Sequence, residues 1–294
     1  MPAVQDGALD DLFRSAVTAI DAGDIPSLER MLAARPALAC ERLDAPGAWL
    51  RDKIGAAADD FFAKPYLLWF VAEDPVRNGT LPPNIVEVAR TILRAAHGNC
   101  GGVLREQLDY ALRLVAWSWI ARNCGVQLGL IDVLLDAGAS PERAPDSALV
   151  NDNVAAAEHL VARGAPLTLS TALCLARWED AARLARTASP REKQFALTLA
   201  ALRGRSEALR RLIGFGVDIN AVSPDLYSHA TPLHHAVHAG SLEAVRVLVE
   251  AGARLDLRDT AYGGTPLGWA EYAGDKDPYA GIAAYLRERE SALR

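Results

Sequence analysis

Residues 229–253 read His229-Ala-Thr-Pro-Leu-His-His-Ala-Val-His-Ala-Gly-Ser-Leu-Glu-Ala-Val-Arg-Val-Leu-Val-Glu-Ala-Gly-Ala253, and this stretch decides the fold. Thr231-Pro232 opens a helix, because proline at the first helical position gives up an N–H that has no partner there anyway. Gly240 ends that helix, since glycine takes the left-handed conformation that a sharp reversal needs. Leu242, Val245, Val247, Leu248 and Val249 then predict a second helix with a broad apolar face, stopped by Gly252. Two short helices of this kind cannot bury both faces against each other, so the unit requires neighbours.

The next neighbour is visible 34 residues on, where Thr265-Pro-Leu-Gly-Trp-Ala270 repeats Thr231-Pro-Leu-His-His-Ala236. Thr-Pro-Leu-His-x-Ala recurring at a period near 33 resembles the ankyrin repeat. Arg254–Gly264, with Asp-Leu-Arg-Asp and a Gly-Gly pair, fits the β-turn finger between such units. The resemblance implies an all-α fold, an ankyrin-like helix–turn–helix solenoid with short β-turn fingers.

The same unit is legible elsewhere in weaker form. Leu12, Phe13, Ala16, Val17 and Ile20 fall at helical spacing, Gly23-Asp24 breaks them, and Ile25–Leu32 resumes. Asp10, Asp11, Arg14, Glu29 and Arg30 supply the polar face of a terminal cap. Residues 39–64 form an irregular insertion with Pro46-Gly47 and Trp49. Pro65–Ala72 predicts a very apolar inner helix, and Ile85, Val88, Ala89, Ile92 and Leu93 its outer partner. A third unit runs from Gln107 to Gly138. In it Leu108, Leu112, Val115, Trp119 and Ile120 are read as inner-helix positions. The fourth exits at Gly164, 26 residues after Gly138, too close for a finger. Thr171–Ala176 reads as a degenerate copy of the opening motif, and the sixth unit turns at Gly204. About eight helix pairs are expected, with fingers reduced in the middle. The expected organisation is a single solenoid over 1–294, comprising a cap repeat at 1–38, the insertion at 39–64, degenerate repeats at 65–216, consensus-like repeats at 217–274, and a C-terminal cap helix at 275–294.

Composition excludes several classes. The 294 residues are 51% hydrophobic, enough for a large core, and carry a net charge of −6. With a pI near 5.6, nucleic acid and anionic membrane are not expected partners. No apolar run approaches the roughly 20 residues of a membrane span, and Met1–Asp11 lacks the pattern of a secretory leader. Cys40, Cys100, Cys124 and Cys174 show no Cys-x-x-Cys spacing and are expected to be free thiols in a reducing cytoplasm. Richness in Ala, Leu and Arg points to a GC-rich, bacterial source. The motifs of phosphate loops, dinucleotide folds, zinc proteases and serine hydrolases are absent. Gly98-Asn-Cys-Gly-Gly102 lacks the strand–helix context of a phosphate loop, and nothing local supports Cys124 or Cys174 as a nucleophile. No enzyme activity and no cofactor are expected.

The resemblance implies a non-catalytic scaffold, expected to be a monomer, that holds another protein in its concave groove and on its finger tips. The groove positions just before the turn are His238-Ala239, Tyr272-Ala273, Leu202-Arg203 and Trp178-Glu179. The finger tips correspond to Tyr227, Ser228 and Ala230, and to Ala261, Tyr262 and Gly264. Tyrosine, tryptophan and arginine are the types enriched at binding hot spots. The partner-binding candidates are therefore Tyr227, Ser228, His229, His238, Tyr262 and Tyr272. Secondary groove candidates are Arg77, Trp119, Arg122, Trp178 and Arg203; the tryptophans are weighed against packing within and between repeats, which is favoured for both Trp119 and Trp178. The alternative is a small-molecule or metal site, with or without catalysis, on the histidine cluster. His234 and His238 share a helix face, and His229 from the preceding turn or Glu271 from the next repeat could join them on a divalent metal. No carboxylate within the motif completes a metal set, and His234 stands at the repeat's own structural histidine. A permanent subunit role within a larger complex differs from the scaffold reading only in how long the partner stays.

Overall fold

The computed structural model describes residues 3–292. Among these it contains seventeen α-helices, a few 3-10 turns, and one isolated antiparallel bridge, Arg42 to Tyr66. The chain divides into two compact units, Met1–Pro166 and Leu167–Arg294.

The first unit holds α1 (Ala3–Ala22), α2 (Ile25–Ala34), α3 (Ala48–Ile54), α4 (Ile85–Ala96), α5 (Val103–Trp117), α6 (Trp119–Asn123), α7 (Gln127–Asp136), α8 (Ala144–Val150) and α9 (Val154–Ala162). Phe13, Ala16, Val17 and Ile20 are buried on one face of α1, as their spacing requires. Asp24 caps α2 by accepting the Ser27 N–H. The outer helices pack in order, α2 on α4, α4 on α7 and α7 on α9.

Pro65–Ala72 departs from expectation. It forms only a 3-10 turn, Leu67–Val71, with all five side chains buried. Lys64 and Glu73 bracket it at φ of 50° and 53°, left-handed positions that stop a helix from growing in either direction. The insertion is anchored from α1, where Asp10 accepts the Gly47 N–H at 2.9 Å and the Trp49 indole N–H at 2.7 Å.

Arg77 also corrects its sequence reading. Its side chain is 1% exposed, so it borders no groove. It donates to Asp21 at 2.9 and 3.1 Å and to the Phe70 carbonyl, and it pairs with Glu73 at 3.0 Å. Glu73 in turn accepts the N–H groups of Arg77, Asn78 and Gly79. The cysteines need a correction as well. Cys40 and Cys100 form a disulfide, while Cys124 and Cys174 remain thiols. Sixty residues separate the bonded pair in sequence, but α2 and the 3-10 turn after it pack on α4, which brings the two Cα atoms to 4.9 Å.

The second unit holds α10 (Leu169–Cys174), α11 (Trp178–Ala185), α12 (Pro190–Leu202), α13 (Ser206–Gly214), α14 (Pro232–His238), α15 (Leu242–Glu250), α16 (Pro266–Ala273) and α17 (Tyr279–Ala292). Inner helices stack α10–α12–α14–α16 and outer helices α13–α15–α17. Taking the 3-10 turn as the inner element of α4, the described residues make eight inner–outer pairs. Each inner helix of this unit opens on a Ser or Thr cap: Thr168, Ser189, Thr231 and Thr265. Thr168, not Thr171, therefore opens the fifth pair, and the sequence register there was three residues late. Its inner–outer turn is made by Ala176 at φ 55°, the conformation glycine supplies at Gly204 and Gly240. Trp178 is consequently the first residue of an outer helix rather than a groove position.

Fingers are long only before α14 and α16, and these two are tied together: Thr260 N–H donates to the His229 carbonyl at 2.8 Å and Arg254 N–H to Asn220 Oδ1 at 2.8 Å. The second finger is organised by Asp259. Its Oδ1 accepts the N–H groups of Ala261 and Tyr262, and its Oδ2 accepts Gly264 N–H at 2.8 Å and the Trp269 indole at 2.9 Å. Gly264 must be glycine, since a Cβ there would stand 2.8 Å from the Trp269 ring.

Two outcomes are expected in urea unfolding of the full chain. Arg77→Ala leaves Glu73 buried with its charge uncompensated and destabilises the first unit by about 3–5 kcal/mol. Asp259→Asn turns an acceptor into a donor facing two N–H groups and destabilises the second unit by about 3 kcal/mol. An unchanged midpoint in either variant rejects the corresponding network as a source of stability.

Candidate partner-binding surface

The two fingers and the ends of α14 and α16 carry the sequence candidates. Tyr262, at the tip of the second finger, is 84% exposed, and Tyr272, at the end of α16, is 95% exposed. Tyr227, in the first finger, is 45% exposed and sits at φ 44°, a left-handed position costly for a non-glycine residue. Ser228 and His238 are exposed and His229 is half-buried. The His238 carbonyl accepts the Tyr279 hydroxyl at 3.2 Å.

Several of these side chains are gathered around a residue that the sequence reading did not single out. The Trp269 indole stacks on His229 at 6.1 Å between centroids, and meets His234 edge-on at 5.0 Å and His238 at 6.5 Å. Tyr227 joins the group through His229 at 6.3 Å and His235 at 6.0 Å. Tyr262, Tyr272 and Ser228 stand outside this cluster of rings. A signal for Trp269 was present, because it occupies the register of His235 in the next repeat.

His234 is fully engaged. Its Nδ1 faces the Thr231 hydroxyl at 2.8 Å and backbone N–H at 3.3 Å, and its Nε2 faces the Gly264 carbonyl at 3.1 Å. The donor–acceptor pattern fixes the neutral tautomer with the proton on Nε2, bridging one repeat to the next. Burial holds its pKa below the ordinary histidine value. Because neither ring nitrogen is free, the His229, His234 and His238 metal alternative is corrected. Among the described residues no group of three or more His, Cys, Asp or Glu is placed to hold a metal ion.

His235 is buried with Nε2 unpartnered, and burial pushes its pKa down to about 4. Asp259 moves for a different reason. Burial works to raise its pKa, but hydrogen bonds from Tyr262, Trp269, Gly264 and Ala261 outweigh that and bring it down to about 2. A full negative charge is therefore held under the second finger at any physiological pH.

The secondary candidates stand in different surroundings within each unit. Trp119 and Arg122 are exposed on α6 in the first unit, so Trp119 does not fill the core. In the second unit Trp178 packs on the core beneath the Arg211 guanidinium, 4.5 Å from its ring centroid, and Arg203 is the half-buried cap residue of α12.

The buried histidines give a pH dependence of definite sign. Below pH 6.5 the unfolded chain takes up a proton at residue 235 that the folded chain refuses until about pH 4. Stability from this group is thus complete above 6.5 and falls as pH drops toward 4, by about 3 kcal/mol. His235→Phe should flatten that part of the urea midpoint–pH curve relative to wild type. Parallel curves for the two proteins would show that His235 does not carry the effect.

Comparison with known proteins agrees with this architecture. A family model described as ankyrin repeats (3 copies) matches residues 147–259 and 197–289. Cyclin-dependent kinase inhibitor 2A of Monodelphis domestica is 32% identical over 122 residues, covering 31% of this chain and 68% of that protein. Its Homo sapiens counterpart is 35% identical over 91 residues, covering 31% of this chain and 54% of that protein. Cyclin-dependent kinase 4 inhibitor B of Rattus norvegicus is 34% identical over 120 residues, 31% of this chain and 88% of that protein. The stacked helix pairs, the Thr-Pro-Leu-His opening and these matches give one conclusion: the chain belongs to the ankyrin-repeat family.

Proposed function

We propose that the chain is a non-catalytic interaction protein that holds a folded protein partner on the fingers and helix ends of residues 217–274. The observation that carries this reading is the pair of tyrosines, Tyr262 and Tyr272, at 84% and 95% exposure, the first on a finger braced by Asp259. Large aromatics left in water cost solvation and gain nothing for the fold, but they serve as low-entropy anchors in an interface. Bracing matters because a preorganised surface loses less entropy on binding. Asp259 and the histidine–Trp269 cluster supply it. Tyr227, Ser228, His229 and His238 lie alongside as further contacts.

The relatives are named as inhibitors of cyclin-dependent kinases, which supports a protein as the ligand and makes a protein kinase the first partner to test. The acidic balance of the chain favours the same class over nucleic acid or anionic lipid. No described helix is long and apolar enough to cross a membrane. The proposed working form is a monomer without cofactor.

The test is co-purification from native extract, wild type beside Tyr262→Ala/Tyr272→Ala. Truncating two exposed side chains should leave circular dichroism and melting unchanged. A stoichiometric partner should be retained by the wild type and bound about thirtyfold more weakly per tyrosine lost, equivalent to about 2 kcal/mol each. Equal retention by both proteins moves the interface away from residues 217–274.

A further inference from the structure

The first unit contains a second candidate site, independent of the C-terminal surface. A cavity of about 280 Å³ opens beside α5, lined by Phe61, Asp74, Tyr110, Arg113, Trp117 and Ser147, among others. Tyr110, Arg113 and Trp117 lie at i, i+3 and i+7 of α5 and so share one face. Phe61 meets Trp117 edge to face at 6.4 Å, and the Tyr110 hydroxyl donates to the Phe61 carbonyl, fixing the two walls together. Ser147 comes from α8 and donates its hydroxyl to the Arg143 carbonyl.

Asp74 is the unexplained member. It is 5% exposed, and its Oδ2 is buried without a hydrogen-bond partner. The neighbouring cation does not serve it, since Arg77 is committed to Glu73, Asp21 and the Phe70 carbonyl. A buried carboxylate left in this state is costly for the fold. Burial, and then the adjacent Glu73 charge, push its pKa up to about 7. A carboxyl oxygen without a partner, in a cavity walled by Phe61 and Trp117, has the composition of a cation site, where aromatic rings and a carboxylate act together.

Arg113 adds a second requirement. Its guanidinium lies over Tyr110, 5.0 Å from the ring centroid, so the cavity carries a fixed positive group beside the Asp74 carboxyl. A bound cation would favour the ionised form of Asp74 and be attracted by it, while Arg113 would repel the same cation. A cation with an acidic group beside it satisfies both. The volume admits one long side chain, and with Asp74 the one acidic residue in the lining, a compact ammonium suits the site better than a guanidinium with its five donors.

From this we infer that the cavity over Asp74 binds a lysine side chain of a protein partner, lying beside the Phe61–Trp117 pair, with an adjacent Asp or Glu of the same partner meeting Arg113.

The probe is the peptide N-acetyl-Ala-Lys-Glu-Ala-amide, titrated into the 294-residue chain while the Trp117 indole N–H is followed by NMR. That resonance is identified by its loss in Trp117→Phe. A saturable shift is expected. Replacing lysine by norleucine in the peptide should weaken binding at least tenfold, and Asp74→Asn should do the same. Arg113→Ala should keep lysine binding while abolishing the preference for Glu over Gln next to it. The norleucine control uses wild-type protein, so the inference stays testable even if Asp74→Asn fails to fold. The Tyr262→Ala/Tyr272→Ala protein should bind the peptide normally, which separates this site from the C-terminal one. Absence of a saturable shift, or equal binding of the norleucine peptide, overturns the inference. A Glu preference that survives Arg113→Ala overturns the part assigned to Arg113.

Discussion

A helix of seven to nine residues, paired with another of similar length, has more apolar surface than the pair can hide. That constraint shapes the second unit. α14 and α15 bury Leu233, Ala236 and Val237 on one side and Val245 and Leu248 on the other, and α12, α13, α16 and α17 are needed to cover them. Stability in such an array resides largely at the interfaces between repeats. The polar groups that cross those interfaces therefore decide register as well as energy. His234 reaching the Gly264 carbonyl is one such tie, and Thr260 N–H reaching His229 is another.

The two units meet the need for internal polar ties differently. In the second, the ties are short-range and repeat-specific: a Ser or Thr cap on each inner helix, a histidine bridging to the next finger, and one aspartate collecting four donors. In the first, the inner element before α4 is a 3-10 turn with no amphipathic sidedness, and the loop after it is held by a buried Glu73–Arg77–Asp21 network. Buried charge of this kind is tolerable only when every member is paired. Glu73 and Arg77 meet that condition, and Asp74 beside them does not.

Surface chemistry follows from these devices. The Asp259 network holds the second finger and seats Trp269, and Trp269 gathers His229, His234 and His238. Tyr262 is thereby presented on backbone whose N–H groups are already satisfied, and Tyr272 on the last turn of α16. Both rings project from ordered supports rather than loose loops.

The sequence by itself determined what is written within one or two turns of chain. Thr231-Pro232, Gly240 and the apolar spacing of 242–249 specify a helix pair, and the echo at 265–270 specifies its repetition. The same local signals failed where a substitute did the same job. Thr168 is followed by Leu169 instead of proline, and Ala176 makes a turn that glycine makes elsewhere, so the fifth pair was misregistered. Only tertiary structure decided the rest, because those contacts join residues that stacking brings together. Arg77 finds Asp21 across 56 residues, Trp49 finds Asp10 across 39, and Cys40 finds Cys100 across 60. Helix signals depend on backbone geometry near each residue, whereas partners such as these depend on how neighbouring helix pairs are set against one another, which no local pattern encodes.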